Sequence, residues 1–237
     1  MSAFDKTKLK EAIRGSIRRV YQAQIVGQDI YRNTLDCFSA VIDSLSQNIS
    51  LDQWMKQEHE RQIQKTKQNA IGTLHEEIIG SVDGVTLLPI GNVVDIVHHG
   101  KKIIAEIKNK HNTTKGNHKV SIYRDLEHKL NGYPGYTGYY VEILPKNATV
   151  YNKPFIPSDN QSHMTLPYRE DIRVIDGRSF YSLITGNQSA IDDLYNLLPL
   201  IVSEIIYEDF NVKLDPSIVT SSVHFCNNFN KAYVSGS

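Results

Sequence analysis

GNVVDIVHHGKKIIAEIKNK, residues 91–110, is the stretch from which the rest of the chain can be read. Its two β-branched runs, VVDIVHH and KKIIAEIKNK, are separated by a glycine-containing turn, so they are predicted to pair as an antiparallel hairpin. Side chains alternate along a strand, which puts Glu106 and Lys108 on one face and Ile107 on the other. An antiparallel partner can bring Asp95 beside them. Two carboxylates and an ammonium inside strands made largely of Val and Ile are costly unless something compensates. A divalent cation is the natural compensator. Aspartate and glutamate oxygens, helped by a backbone carbonyl such as that of Ile107, are hard ligands suited to Mg²⁺. The chemistry such a set supports is phosphodiester hydrolysis: the cation polarises a phosphate and acidifies a water, and Lys108 orients that water and offsets developing negative charge.

Working outward, the segment before the hairpin is predicted to be helical. Residues 7–24 have apolar positions at helical spacing with Lys and Arg around them. Residues 28–47 carry an apolar stripe of Leu35, Phe38, Val41, Ile42 and Leu45. Residues 51–81 read as one long helix behind the capping residue Ser50. On that helix Glu76 and Glu77 leave opposite edges of the apolar face formed by Ile71, Leu74, Ile78, Ile79 and Val82, so either can reach a site built on the hairpin. From residue 84 the pattern becomes short, β-branched and punctuated. Strands are predicted at 84–90, 93–98, 102–108, 138–144 and 171–175, with helices at 117–131, after Gly177 and over 189–210, and loops at 131–139 and 145–170. The expected architecture is α/β: a helical N-terminal subdomain (1–70) packed on a core of sheet and helices (71–237), together one compact domain.

Other residues with chemical potential read more plainly. His98 and His99 close the hairpin and are expected to be structural. Trp54 reads as a packing anchor, and Tyr139 and Tyr140 as core of a strand apolar on both faces; Tyr133 and Tyr136 could stack on a nucleic acid. The polar, basic segment after Lys108 contains Lys110, Asn112, Thr113, Thr114, Lys115, Asn117, His118 and Lys119. Its donors suit phosphates and base edges.

Composition limits the function classes. The 237 residues carry 26 Lys+Arg against 26 Asp+Glu, which argues against a polycation or a general membrane-surface binder, since both need a large net field. The polar opening and the lack of a long apolar run predict a soluble cytoplasmic protein that does not span a membrane. Two distant cysteines, Cys37 and Cys226, have neither metal-ligand nor redox spacing. The zero balance is local cancellation. Residues 101–129 hold eight Lys/Arg against three Asp/Glu and residues 1–22 six against two, while residues 188–210 hold five acids and no Lys or Arg. Both basic stretches are therefore expected to face nucleic acid, and the acidic helix to face away from it, in the scaffold or a dimer interface.

The hairpin resembles the PD-(D/E)XK nuclease superfamily, in which an acid on one strand is followed by Glu-x-Lys on the next. Here Val94-Asp95 stands in place of Pro-Asp. The preceding LHEEIIG at 74–80 is similar to the helix whose glutamate supports the metal site in that superfamily, and the resemblance favours Glu76 for that role. Three segments, HEEIIGSVDG (75–84), VVDIV with EIKNKHNTTKG (93–97, 106–116) and VIDGRSFYSLITG (174–186), resemble the type II restriction endonucleases that cut GGWCC or GGNCC sites. The resemblance implies a mixed central sheet flanked by helices, and a homodimer that cleaves both strands of a short palindromic double-stranded DNA site with Mg²⁺. It also implies a companion DNA methyltransferase acting on the same site without stable binding. A GG/CC site would demand guanine contacts, for which Arg169, Arg173 and Arg178 are candidates. The competing readings are another nuclease of the superfamily, acting in repair or on DNA structure, and a non-catalytic nucleic-acid-binding module. The last has no need of paired carboxylates facing a polyanion.

Overall fold

In the computed structural model, residues 3–234 are described, apart from 27, 28, 90, 113, 115 and 160–163. Helix α1 (Lys6–Ile25) starts where the Asp5 carboxylate accepts from the N–H groups of Thr7 and Lys8, and it buries Leu9, Ile13 and Ile17 one turn apart. The helix expected over 28–47 is α2 (Cys37–Gln47) only. Asp29 caps a separate short 3₁₀ turn at Ile30–Arg32 and Asp36 caps α2, so two side-chain acceptors divide the segment; residue 28 lies outside the described residues. The stripe of α2 faces outward. Phe38 is 78% and Leu45 78% exposed, and the helix packs through Ala40 and Ser44 instead.

Ser50 and Gln53 form a capping box that opens α3 (Leu51–Gly72). The long helix predicted to residue 81 breaks at Gly72 and Thr73, and α4 (Leu74–Gly80) follows. Then come β1 (Val85–Leu87), β2 (Ile96–His98), β3 (Ile103–Lys110), α5 (Gly116–Leu130) and β4 (Thr137–Leu144). The stretch 145–170, expected to be loop, contains β5 (Asn152–Pro154), β6 (Ser158–Asp159) and β7 (Met164–Thr165). Finally β8 (Ile172–Asp176), α6 (Gly177–Thr185), α7 (Ala190–Phe210), α8 (Ser217–Thr220) and α9 (Val223–Tyr233) complete the chain; the last two lie beyond the last predicted element. No helix among the described residues is long and apolar enough to cross a membrane.

Six strands form one mixed sheet in the order β1-β2-β3-β4-β8-β5. The predicted hairpin is β2–β3; β3, β4 and β8 run parallel, and β5 is antiparallel to β8. Alternation divides the sheet into two cores. Ile103, Ala105 and Ile107 of β3 with Tyr139, Val141 and Ile143 of β4 pack against α1, α4, α6 and α7. Ile104, Tyr140, Ile172 and Val174 face the other way, onto Ile122, Tyr123 and Leu126 of α5. Tyr139 and Tyr140 are core, as expected. Trp54 is 2% exposed, with its Nε1 donating to Asp43.

The charge pattern resolves differently from the sequence expectation. The cations of α1 do not form a free basic surface. Lys6 pairs with Glu204, Lys10 with Glu204 and Glu208, Arg14 with Glu208 and Asp209, and Arg18 with Asp209. Lys8 meets Asp83, and Arg19 meets Glu77. The basic surplus of residues 1–22 is thus answered largely by the acidic helix α7, which belongs to the scaffold.

Candidate active site

Strands β2 and β3 separate just beyond Ile96, and the candidate site is built at that divergence. The ladder runs one step past β2, because the Asp95 N–H donates to Ala105 and the Asp95 carbonyl accepts from Leu88. Ala105 is already the ladder partner of Ile96, so Asp95 is an extra residue against Ala105, a bulge that ends the regular pairing beside Glu106. The Asp95 carboxylate then takes the place of a missing strand residue, with Oδ2 accepting from the Ile107 N–H at 2.6 Å. A strand residue turns its N–H and C=O to the same side, so the Ile107 carbonyl also faces Asp95. On the same face as Glu106, Lys108 Nζ donates to Glu106 Oε1 at 2.5 Å.

Helix α4 supplies a third acid. Consecutive helical residues point about 100° apart, and this separates the two glutamates. Glu77 turns to α1, accepting from Ser16 Oγ at 2.8 Å and pairing with Arg19. Glu76 sits in the field of Asp95, Glu106 and Lys108. Burial pushes the Glu76 carboxyl up to about 7, with the Asp95 charge adding to the shift. Glu106 is likewise pushed up to about 7, by burial first and then by Asp95. Burial also raises Asp95, against the opposing pull of the Ile107 N–H. Burial works against the Lys108 ammonium, but its bond to Glu106 and the surrounding acids outweigh this and hold its pKa above the ordinary value. Three half-buried carboxylates therefore share one ammonium, an arrangement that favours an added cation.

The donor chemistry fits Mg²⁺. Asp95, Glu106 and the Ile107 carbonyl are hard oxygen donors on one side of one strand pair. Among the described residues no three His, Cys, Asp or Glu side chains converge closely enough to hold a metal by themselves.

The segment after β3 stays at the same end of the sheet. Lys110, Asn112, Asn117 and His118 are exposed there. Lys119 Nζ donates to Glu142 Oε1 at 2.9 Å. Thr113 and Lys115 lie outside the described residues. Thr114 is 6% exposed and accepts from the Tyr140 hydroxyl, so it serves the core. The structure does not bring the three arginines to the site. Arg169 precedes β8, at the opposite end of the parallel strands from Lys108, and pairs with Asp171 and Glu127. Arg173 is in register with Tyr139, whose side chain packs in the opposite core, and it pairs with Glu170. Arg178 is held on α6 by Asp192 and by the rings of Phe229 and Tyr233. His98 is buried and His99 bonds the Tyr136 hydroxyl at 2.8 Å, both at the far end of the hairpin.

Sequence reasoning missed Glu142. It is buried, lies in register with Lys108, and accepts from both Lys119 and the Tyr151 hydroxyl. The signal was present: a lone charge in GYYVEIL, a strand apolar on both faces, has to be paired. The segment VIDGRSFYSLITG proves structural. Asp176 is 1% exposed, caps α6 through the Ser179 N–H and accepts from the Tyr151 N–H. Gly177 lets α6 approach β4 so closely that a Cβ would lie 2.3 Å from the Ile143 carbonyl oxygen.

A mixed six-stranded sheet between helical layers defines a restriction-endonuclease-like α/β fold. Comparison with known proteins narrows this to a family. Residues 1–207 match the Eco47II restriction endonuclease family. The chain is 38% identical over 180 residues to the type II restriction enzyme Eco47II of Escherichia coli, covering 74% of this chain and 75% of that one. It is 29% identical over 193 residues to the type II restriction enzyme Sau96I of Staphylococcus aureus, covering 78% and 74% respectively. The chain belongs to the Eco47II restriction endonuclease family.

Proposed function

We propose that this protein is a Mg²⁺-dependent type II restriction endonuclease that cuts both strands of a short palindromic duplex of the GGNCC or GGWCC type. The observation that carries the reading is the convergence of Asp95, Glu106 and Lys108 where β2 and β3 part, within the stretch matched by the family. Asp95, Glu106 and the Ile107 carbonyl would hold the cation, with Glu76 as auxiliary acid. Bound there, Mg²⁺ supplies Lewis-acid polarisation of the scissile phosphate and lowers the pKa of a coordinated water. Lys108 Nζ orients the attacking water and offsets charge building on the phosphoryl oxygens. The Ile107 N–H fixes the Asp95 carboxylate. One P–O bond forms to the water oxygen as the bridging P–O bond breaks. A palindromic site matches a two-fold symmetric enzyme, so a homodimer acting in the cytoplasm beside a methyltransferase of the same specificity completes the reading.

The test is incubation of the purified protein with plasmid DNA and Mg²⁺, followed by sequencing of the ends. Discrete fragments sharing one terminal sequence are expected, and Asp95→Ala should abolish them while DNA is still bound. A smear would favour a nuclease without site preference. Full activity in Asp95→Ala would remove the assignment of the site.

A further inference from the structure

On the α5 face of the sheet, next to the catalytic strand, a cavity of about 700 Å³ opens between the start of α5 and the segment that follows β4. Its polar lining includes His111, Lys119, Glu142, Lys146, Tyr151 and Lys153. Because Lys108 and Glu142 are direct partners in the β3–β4 ladder, this cavity continues the surface that carries Glu106 and Lys108.

Its charges are unequal in availability. Glu142 is the buried acid of the cavity, and it is already engaged by Lys119 and by the Tyr151 hydroxyl. Burial and that bond raise the Tyr151 phenol, so it remains a donor to Glu142. Lys146 and Lys153 have no carboxylate partner among the described residues; Lys153 rests against the Tyr151 ring at 5.6 Å. The cations of α1 are, in contrast, paired one after another. Lys153 is in register with Val174, whose side chain packs on the α5 face, so it points to the same side of the sheet as Lys108. The turn that carries Lys146 is held in an uncommon shape. Asn147 and Ala148 are successive non-glycine residues at φ 54 and 52, and Ala148 is buried.

We infer that this cavity is a second subsite for the backbone phosphates of the DNA substrate, with Lys146 and Lys153 as its phosphate-binding cations and Glu142 as the residue that positions Lys119 and Tyr151 around it. The inference rests on the proposed nuclease function. Three strand spacings of about 4.8 Å separate Lys108 from Lys153, or roughly 14 Å.

The experiment measures binding of a short duplex containing GGTCC, in EDTA and in an Asp95→Ala background, across a series of salt concentrations. Adding Lys146→Ala and Lys153→Ala together should weaken binding and lower the slope of log affinity against log salt by about 2, since each phosphate contact contributes about 0.9. Lys146→Arg with Lys153→Arg should keep the slope, which guards against a change caused by misfolding. An unchanged slope in the alanine variant, with wild-type protein that cleaves plasmid DNA, overturns the subsite and leaves the nuclease reading intact. Wild-type protein that neither cleaves nor binds duplex DNA overturns the nuclease reading, and the subsite with it.

Discussion

Replacing Glu76 with glutamine should make the metal-free protein more stable at alkaline pH. Glu76 is held at about 7 by burial and by the charges of Asp95 and Glu106, against 4.5 for the unperturbed group. An acid whose folded pKa is raised keeps its proton longer in the folded than in the unfolded state. Stability therefore falls as pH climbs from about 4.5 to 7, and the full penalty is present above 7. The difference between 4.5 and about 7, at about 1.4 kcal/mol per pH unit, gives an upper bound of roughly 3.5 kcal/mol. Partial exposure of the site and its coupling to Asp95 and Glu106 reduce this to about 1–2 kcal/mol. Glutamine keeps the shape, removes the charge and leaves the Lys108–Glu106 pair intact. For a chain of this size the gain corresponds to a rise in Tm of about 3–6 °C. Thermal melts in EDTA at pH 8 and pH 4 should show this gap at pH 8 and close it at pH 4. Saturating Mg²⁺ at pH 8 should narrow it, because a cation relieves the same repulsion in the wild-type protein. A variant that melts at or below the wild-type temperature at pH 8, or with an equal gap at both pH values, would refute the claim that charge crowding sets the energetics of this site.

Other consequences can be checked separately. Lys108→Ala should lower the single-turnover cleavage rate by about 10²–10⁴-fold; a loss below tenfold would mean that another group orients the nucleophile. Gly177→Ala should cost about 3 kcal/mol or more in urea unfolding, because its Cβ would sit 2.3 Å from the Ile143 carbonyl oxygen; a cost under about 1 kcal/mol would show that α6 can move off β4. Arg14→Gln with Arg18→Gln should leave the salt slope of DNA binding where it was, since both cations are taken by α7. A slope reduced by about 2 would return α1 to the DNA-binding surface.

The parts legible in the sequence were those governed by local rules. Helix α1 is bounded at its start by the Asp5 cap and the β2–β3 hairpin by its turn, so both fell close to where patterning put them, except that β2 begins at Ile96 rather than residue 93 and leaves Asp95 just outside the strand. Period two put Glu106 and Lys108 on one face, whereas the bond from the Ile107 N–H to the Asp95 carboxylate depends on the irregular start of β2, which the pattern does not show. What escaped depended on distant partners. Strand β5 is three residues ending in Pro154, and it exists because β8 offers a free edge. The α2 stripe looked like core, yet the local wheel does not say which face meets α3, and Ala40 and Ser44 won that contact. The choice between Glu76 and Glu77 turned on whether Ser16 and Arg19 of α1 stood near one of them, a tertiary fact. Glu142 carried a signal in its own strand, but its partners come from α5 and from Tyr151.

The same distinction explains how a chain with no net charge can be built around a polyanion. Charge counted along the sequence treats every lysine alike, whereas a duplex senses only cations without a partner nearby, because a paired ammonium contributes little field beyond its partner. On that basis the six cations of residues 1–22 are spent inside the scaffold, four of them against α7. The half-buried acids Asp95, Glu106 and Glu76 lie within one another's electrostatic field where the strands diverge. Lys146 and Lys153, without acidic partners among the described residues, line the cavity on the face of the sheet that carries Glu106 and Lys108. A neutral total is therefore the sum of a neutralised frame, a compact acidic centre and a basic flank. The parallel run of β3, β4 and β8 holds the last two at fixed separation.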